Sequence, residues 1–175
     1  MNAEAQSRSA LERELAAETL RRFSEVRMVA RGSSMVPTVY PGDCLTVKSF
    51  LSQAPRARDI VLYRRAGEFR VHRIVNILRK NEGLFYVLRG DALTDDDPPV
   101  PASELLGRVA SVLRRGKSFE PRAMTGAHYR ALRLMVRRSE LAALLLLRWH
   151  TMSEQRFLEA ELLRASSAQA KMGCT

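Results

Sequence analysis

Three short segments of this 175-residue chain carry residues whose types could carry out hydrolysis together. The first is Arg31-Gly32-Ser33-Ser34-Met35-Val36-Pro37-Thr38, closed by Pro41-Gly42-Asp43. The second is Val71-His72-Arg73-Ile74-Val75, and the third runs from Arg89-Gly90-Asp91 through Asp95-Asp96-Asp97 to Pro98-Pro99-Val100. A serine hydroxyl is a weak nucleophile until a base within hydrogen-bond reach takes its proton. Imidazole suits that work near neutral pH because, unperturbed, it titrates at about 6.5. A carboxylate behind the imidazole fixes its tautomer and stabilises the imidazolium that forms during attack. Taken singly, the three segments also read as an ordinary loop, a strand with a structural histidine, and an acidic turn. The acidic run lacks the alternating ligands and central glycine of a calcium loop. Order and spacing, with serine, histidine and aspartate inside about 65 residues, make the combination informative.

The elements that must position these residues fall into three sections. Residues 3 to 24 read as a helix in which Leu11, Leu15, Leu20 and Phe23 form a loose apolar stripe between charges. Residues 25 to 116 switch to short runs rich in Val, Ile, Leu and Tyr, with candidate strands Val26–Ala30, Cys44–Lys48, Ile60–Arg64, Phe69–Ile77, Leu84–Arg89 and Leu106–Leu113. Turn signals separate them at Pro41-Gly42-Asp43, Ala66-Gly67, Asn81-Glu82-Gly83 and Pro98-Pro99. Such spacing predicts a mainly β, twisted antiparallel core. From residue 117 to 175 the chain is read as a basic, Leu/Arg-rich helical region. Leu132, Met135, Leu141, Leu144, Leu145 and Trp149 form one apolar face, and a second short helix over Ser153–Ala165 takes Ser153 as its N-cap.

Composition bounds the setting. The length suits one ordinary domain with extensions, and 46% apolar residues make it globular. A net charge of +10, with 25 Arg against four Lys, fits either a genomic bias or an anionic partner. Two cysteines, Cys44 and Cys174, make neither a disulfide framework nor a zinc spacing, which fits a reducing compartment. The first 23 residues carry charges throughout and contain no apolar signal core. The longest apolar run, Leu141 to Leu147, would rise about 10 Å as a helix against a hydrocarbon core of about 30 Å. A cytoplasmic chain without a transmembrane segment is therefore expected. Its partner would be a peptide or protein substrate, with no nucleic acid. The segment Arg130–Trp149 has two readings: peripheral contact with an anionic membrane, or packing over the β core with its arginines solvated.

Together the Ser-Met-Val-Pro, His-Arg and Gly-Asp segments resemble the signal peptidase family, specifically its His-using branch found in the eukaryotic secretory pathway, archaea and some spore-forming bacteria. The wider group includes the LexA-type self-cleaving repressors. The resemblance spans roughly Val29 to Val112, and Gly42-Asp43, Asp59-Ile60-Val61 and Leu106-Gly107-Arg108-Val109 echo its scaffold positions. It implies a signal peptidase/LexA-like β core and a Ser-His-Asp site that needs no cofactor or metal. Ser34, directly before Met-x-Pro, takes the nucleophile's place, and Ser33 is a bystander or secondary donor. The Ser34 amide, flanked by Met35, would be the first oxyanion donor, worth about 3 kcal/mol. Gly32 stands where some members carry a second hydroxyl donor. His72 takes the base position; the Lys-using branch is not matched, since no Lys lies between Lys48 and Lys80. Asp97 is implied as the histidine's partner and Asp91 as a structural or electrostatic supporter. The family's substrates imply a small uncharged residue before the cut, held in a shallow apolar pocket near Met35 and Val36. Two other functions remain on the same fold. One is a non-catalytic peptide-binding module. The other is a LexA-type self-cleaving regulator, for which only 33 residues precede Ser34 and Ala66-Gly67 lies after it.

Overall fold

The computed structural model describes residues 3–51, 53–121, 126–139 and 141–155. A helix, α1 (Ala3–Phe23), leads into eight strands. These are β1 (Glu25–Val29), β2 (Cys44–Ser49), β3 (Ile60–Arg65), β4 (Glu68–Lys80), β5 (Gly83–Arg89), β6 (Val100–Pro101), β7 (Leu105–Arg114) and β8 (Lys117–Phe119). All pair antiparallel in one sheet of order β1-β2-β7-β3-β4-β5-β6, with β8 on β7. The protein is thus mainly antiparallel β, with helices in its N- and C-terminal regions.

The expected strands appear within a few residues of their sequence boundaries. Two additional short strands complete the sheet. Pro98-Pro99 directs the chain into β6, which pairs with β5 through Tyr86–Val100. Past residue 116, β8 carries the sheet beyond the expected end of the core. The turn before it, Arg115-Gly116, has φ of 49° and 72°, and Ala66-Gly67 between β3 and β4 has 49° and 78°. Positive φ at both central residues is the hairpin geometry whose twist matches the flanking strands.

Strand β3 occupies the interior of the sheet, and its first four residues are buried on both faces. Ile60 and Leu62 join Leu45, Val47, Val109 and Val112 in one core, while Val61 and Tyr63 join Ile74, Tyr86 and Leu88 in another. A strand buried on both sides reads as a continuous apolar run. β7 lies between β2 and β3 and closes the sheet; it passes so near β2 that a Cβ on Gly107 would fall 2.6 Å from the Lys48 carbonyl oxygen.

The helices depart from their expected faces. Among the α1 side chains described, Ala17 and Leu20 are buried, and Leu11, Leu15 and Phe23 are exposed. The C-terminal region forms α2 (Ala127–Arg138) and α3 (residues 141–155). Ser139 separates them: its extended backbone ends α2, with its amide donating to Met135 O, and its Oγ accepts the Ala142 amide at 3.3 Å to cap α3. Because the helical register breaks there, the apolar positions on the two sides do not form one buried face. Val136, Ala143, Leu146 and Leu147 pack around Val36 and Tyr40. Met135, Leu141, Leu144, Leu145 and Trp149 are exposed, and Leu132 is half-buried. Ser153 lies inside α3, with its hydroxyl donating to His150 O at 2.8 Å, so it does not cap a new helix. The rest of that expected helix, and Cys174, lie outside the described residues. Among the described residues, no helix is long and apolar enough to cross a membrane.

Candidate active site

Three separate segments converge: the turn that follows β1, the first half of β4, and the loop that follows β5. The chain leaves β1 at Val29 and turns through residues 33–39, fixed by hydrogen bonds from the Val36 amide to Ser33 O (3.1 Å) and from the Thr38 and Val39 amides to Met35 O (2.9 Å each). Met35 and Val36, 3% and 1% exposed, anchor this turn from below: Met35 in the core with Leu20 and Val39, Val36 beneath Tyr40 and Val136. Both side chains thus face the interior beneath the loop. Apolar bulk beside Ser34 serves to hold the loop rigid, and the Ser34 side chain is left half-buried above it.

Ser34 Oγ lies 3.1 Å from His72 Nε2, and His72 Nδ1 lies 2.5 Å from Asp97 Oδ2. Both spacings permit hydrogen bonds, and together they make one continuous chain from hydroxyl to carboxylate. The imidazole is buried and the Asp97 carboxylate is largely so. Asp97 is positioned by its own amide, which donates to Leu88 O on β5 at 2.8 Å. Ser33 is exposed, and its hydroxyl has no described partner in this chain of contacts. Among the described residues, no acceptor takes the Ser34 or Met35 amide, as an oxyanion donor requires.

Tyr63 is a participant that the sequence did not single out. Its hydroxyl donates to Asp97 Oδ2 at 2.9 Å and lies 3.1 Å from His72 Nδ1. The ring is 0% exposed, and burial together with the Asp97 charge pushes the phenol well above its ordinary value. It therefore remains a donor at any working pH. Tyr63 reads in sequence as one more aromatic in a strand; Asp97 lies 34 residues farther along the chain, and no local pattern links the two.

Asp91 makes no contact with the imidazole. Its carboxylate receives Arg73 Nε at 2.8 Å and Arg73 Nη2 at 2.7 Å, and also the Thr38 hydroxyl. Burial raises the Asp91 carboxyl, but these donors outweigh it and hold the group below its ordinary 3.8. The Arg73 Nη1 donates to Arg58 O at 2.9 Å, so the guanidinium ties the strand bearing His72 to two loops. The next residue, Ala92, donates its amide to Ser34 O at 2.9 Å. Gly90 permits this approach: a Cβ there would sit 2.6 Å from the same carbonyl oxygen. Asp91 therefore braces the loop that carries Ser34, and Asp97 contacts the histidine. The remaining acids of the run are exposed, with Asp96 paired to Arg89 at 3.2 Å.

The scaffold positions have comparable tasks. Asp43 accepts the Tyr40 amide at 2.8 Å and is gripped by Arg114 at 2.6 and 2.8 Å, which closes the far end of the serine loop. Asp59 accepts the Arg56 amide at 2.9 Å, and its backbone carbonyl receives the amide of Ile74, two residues after His72.

No protein-family model matches the chain, and no curated protein does.

Proposed function

We propose that this protein is a serine endopeptidase of the signal-peptidase type, cutting a leader or signal-type peptide bond through Ser34, His72 and Asp97. The observation that carries the reading is the hydrogen-bonded sequence Ser34 Oγ, His72 Nε2, His72 Nδ1, Asp97 Oδ2, assembled from three distant segments. His72 Nε2 takes the hydroxyl proton as Ser34 Oγ attacks the scissile carbonyl, and the oxyanion is received by the Ser34 amide. Asp97 keeps the Nδ1 proton in place and balances the imidazolium. The imidazolium then protonates the departing amine, leaving an ester on Ser34. A water deprotonated by the same nitrogen hydrolyses that ester and returns the serine. Among the described residues the outer edge of β1, which leads directly into the serine loop, pairs with no strand and offers backbone partners for an extended substrate.

Covalent labelling separates an enzyme from a peptide-binding module on the same architecture. A serine-directed phosphonate is expected to add once, at Ser34, as read by intact mass and peptide mapping. Ser34→Ala and His72→Ala should abolish labelling while keeping the melting temperature, and Ser33→Ala should label normally. Absence of labelling in the wild type favours the binding module, and labelling at Ser33 overturns the assignment. A peptide library should then show a small uncharged residue before the cut; preference for Arg or a bulky aromatic there removes the leader-peptidase reading.

The proposed partner beyond the substrate is an anionic membrane surface, met peripherally. Support comes from α3, whose outward side presents Leu141 (72% exposed), Leu144, Leu145 and Trp149 (63%) next to exposed Arg138 and Arg148. Aromatic and leucine side chains flanked by arginine suit the headgroup boundary.

A further inference from the structure

Outside the Ser-His-Asp site, the most unusual feature of the molecule is a cleft of about 320 Å³ between α2 and the β4–β5 pair. Five arginines line it: Arg73 and Arg89 from the strands, and Arg130, Arg133 and Arg137 from α2. The spacing of the last three puts them on one side of the helix. A single carboxylate, Asp91, faces all five, and Arg73 already engages both of its oxygens. Arg133 reaches it only at 3.5 Å. Arg89 is held from outside the cleft by Asp96. The Nε of Arg89 and the Nε of Arg137 are both buried without an acceptor among the described residues. A buried N–H with no acceptor is costly, and guanidiniums crowded together repel one another. Burial, then the Arg89 charge, pulls the Arg137 guanidinium below its ordinary value; burial and Arg73 act the same way on Arg133, against Asp91. The cleft thus holds more donors and more positive charge than the protein itself satisfies.

We infer that this cleft binds a phosphate group, whose tetrahedral oxygens accept from the unpaired guanidinium N–H groups of Arg89, Arg130 and Arg137. A phosphate dianion can meet several guanidinium forks at once, where a single carboxylate serves one or two. Arg73 and His72 are consecutive on β4 and project to opposite sides of the strand, so the ligand does not occupy the face of the imidazole. The inference does not depend on the hydrolase reading. The phosphate has two sources, a phospholipid headgroup or a soluble phosphate ester.

The test uses the full chain and inorganic phosphate, titrated at constant ionic strength against chloride, with calorimetry and thermal unfolding as readouts. Saturable binding at one site and a rise in melting temperature beyond the chloride control are expected. Arg137→Gln and Arg130→Gln should each weaken phosphate by about tenfold. Both should also raise the melting temperature in phosphate-free buffer, because each removes one of the repelling charges. A purely structural arginine would show the opposite sign, so the pair of readouts distinguishes the two roles even if one variant folds poorly. Phosphate no more effective than chloride, or an equal increment in Arg137→Gln, overturns the proposal. Vesicles of phosphatidic acid in phosphatidylcholine identify the source. Retention displaced by inorganic phosphate supports a headgroup ligand, and phosphate binding without retention supports a soluble ester. Retention by a chain that fails to bind phosphate counts against the cleft.

Discussion

Replacing Gly90 by alanine would place a Cβ 2.6 Å from the Ser34 carbonyl oxygen and 3.0 Å from the Leu93 side chain. Real Cβ contacts essentially never fall below 3.0 Å, so the oxygen must move by about 0.4 Å or more. Leu93 is largely exposed and can swing away, but the Ser34 backbone cannot retreat freely because Met35 and Val36 are locked in the core. Moving Ser34 by that amount away from the imidazole stretches its 3.1 Å contact toward about 3.5 Å, well beyond the range of a good hydrogen bond. The Ala92–Ser34 hydrogen bond is strained by the same shift. We expect a stability loss of about 1–3 kcal/mol, typical of overpacking, and phosphonate labelling slowed on the order of 10²-fold. The assay is the second-order labelling rate at Ser34, measured well below a melting temperature determined in parallel. Labelling within a factor of about two of wild type, with an unchanged melting temperature, would refute the proposed coupling between the Gly90 turn and the nucleophile.

The two aspartates should separate kinetically. Asp97→Asn is expected to cost about 10⁴ in rate with little change in melting temperature. Asp91→Asn should mainly cost stability, about 3 kcal/mol from the buried Arg73 left without its counter-ion; the reverse ranking would exchange their roles. Tyr63→Phe removes a donor to a charged acceptor and is expected to slow labelling about tenfold and cost about 2 kcal/mol; labelling and stability unchanged from wild type would mean that the ring, and not its hydroxyl, holds the site. Stability should fall in two steps on acidification. His150, stacked on Tyr40 at 4.3 Å, is held below its ordinary 6.5 by burial and Arg114, so its contribution is complete above 6.5 and drains as pH falls toward the lowered folded value. Asp91, held below 3.8, contributes above that value and loses its contribution as pH falls through the folded one. A melting temperature flat from pH 7 to 5, or an upper step that survives His150→Phe, contradicts the first step. For membrane contact, binding to phosphatidylglycerol vesicles should weaken with salt and be lost with Leu145→Glu and Trp149→Glu, while equal binding to neutral vesicles would point to a different mode of attachment.

The strands carrying the site were readable because a period-2 or continuous apolar pattern fixes burial locally, and Ala66-Gly67 or Asn81-Glu82-Gly83 marks where each run must reverse. Short partners were not readable. Val100–Pro101 and Lys117–Phe119 gain strand geometry from β5 and β7 and not from their own composition. The residues Ser34, His72 and Asp97 could be named from motif order, and their contacts follow that order in space. Tyr63 and the Thr38–Asp91–Arg73 cluster could not, because side-chain direction across 34 to 53 residues depends on the completed sheet register. The helical faces misled for a different reason. A 3.6-residue period read through Ser139 assumes one continuous helix, and the break there rotates Leu141, Leu144, Leu145 and Trp149 out of the interior.

The placement of β7 has a consequence for synthesis of the chain. Ser34 follows β1, which pairs with β2, whereas His72 and Asp97 belong to the β3–β4–β5 side, and β7 is the strand that joins the two halves of the sheet. A nascent chain that has emerged only as far as residue 100 already contains the serine, the histidine and both aspartates, yet its two half-sheets share no strand. Pairing as remote as β2 with β7 carries a large loop-closure cost and forms late. The contacts among Ser34, His72 and Asp97 are therefore expected to form only once β7 has paired with both halves. A chain truncated before Leu105 would carry all three residues without the strand that joins their half-sheets.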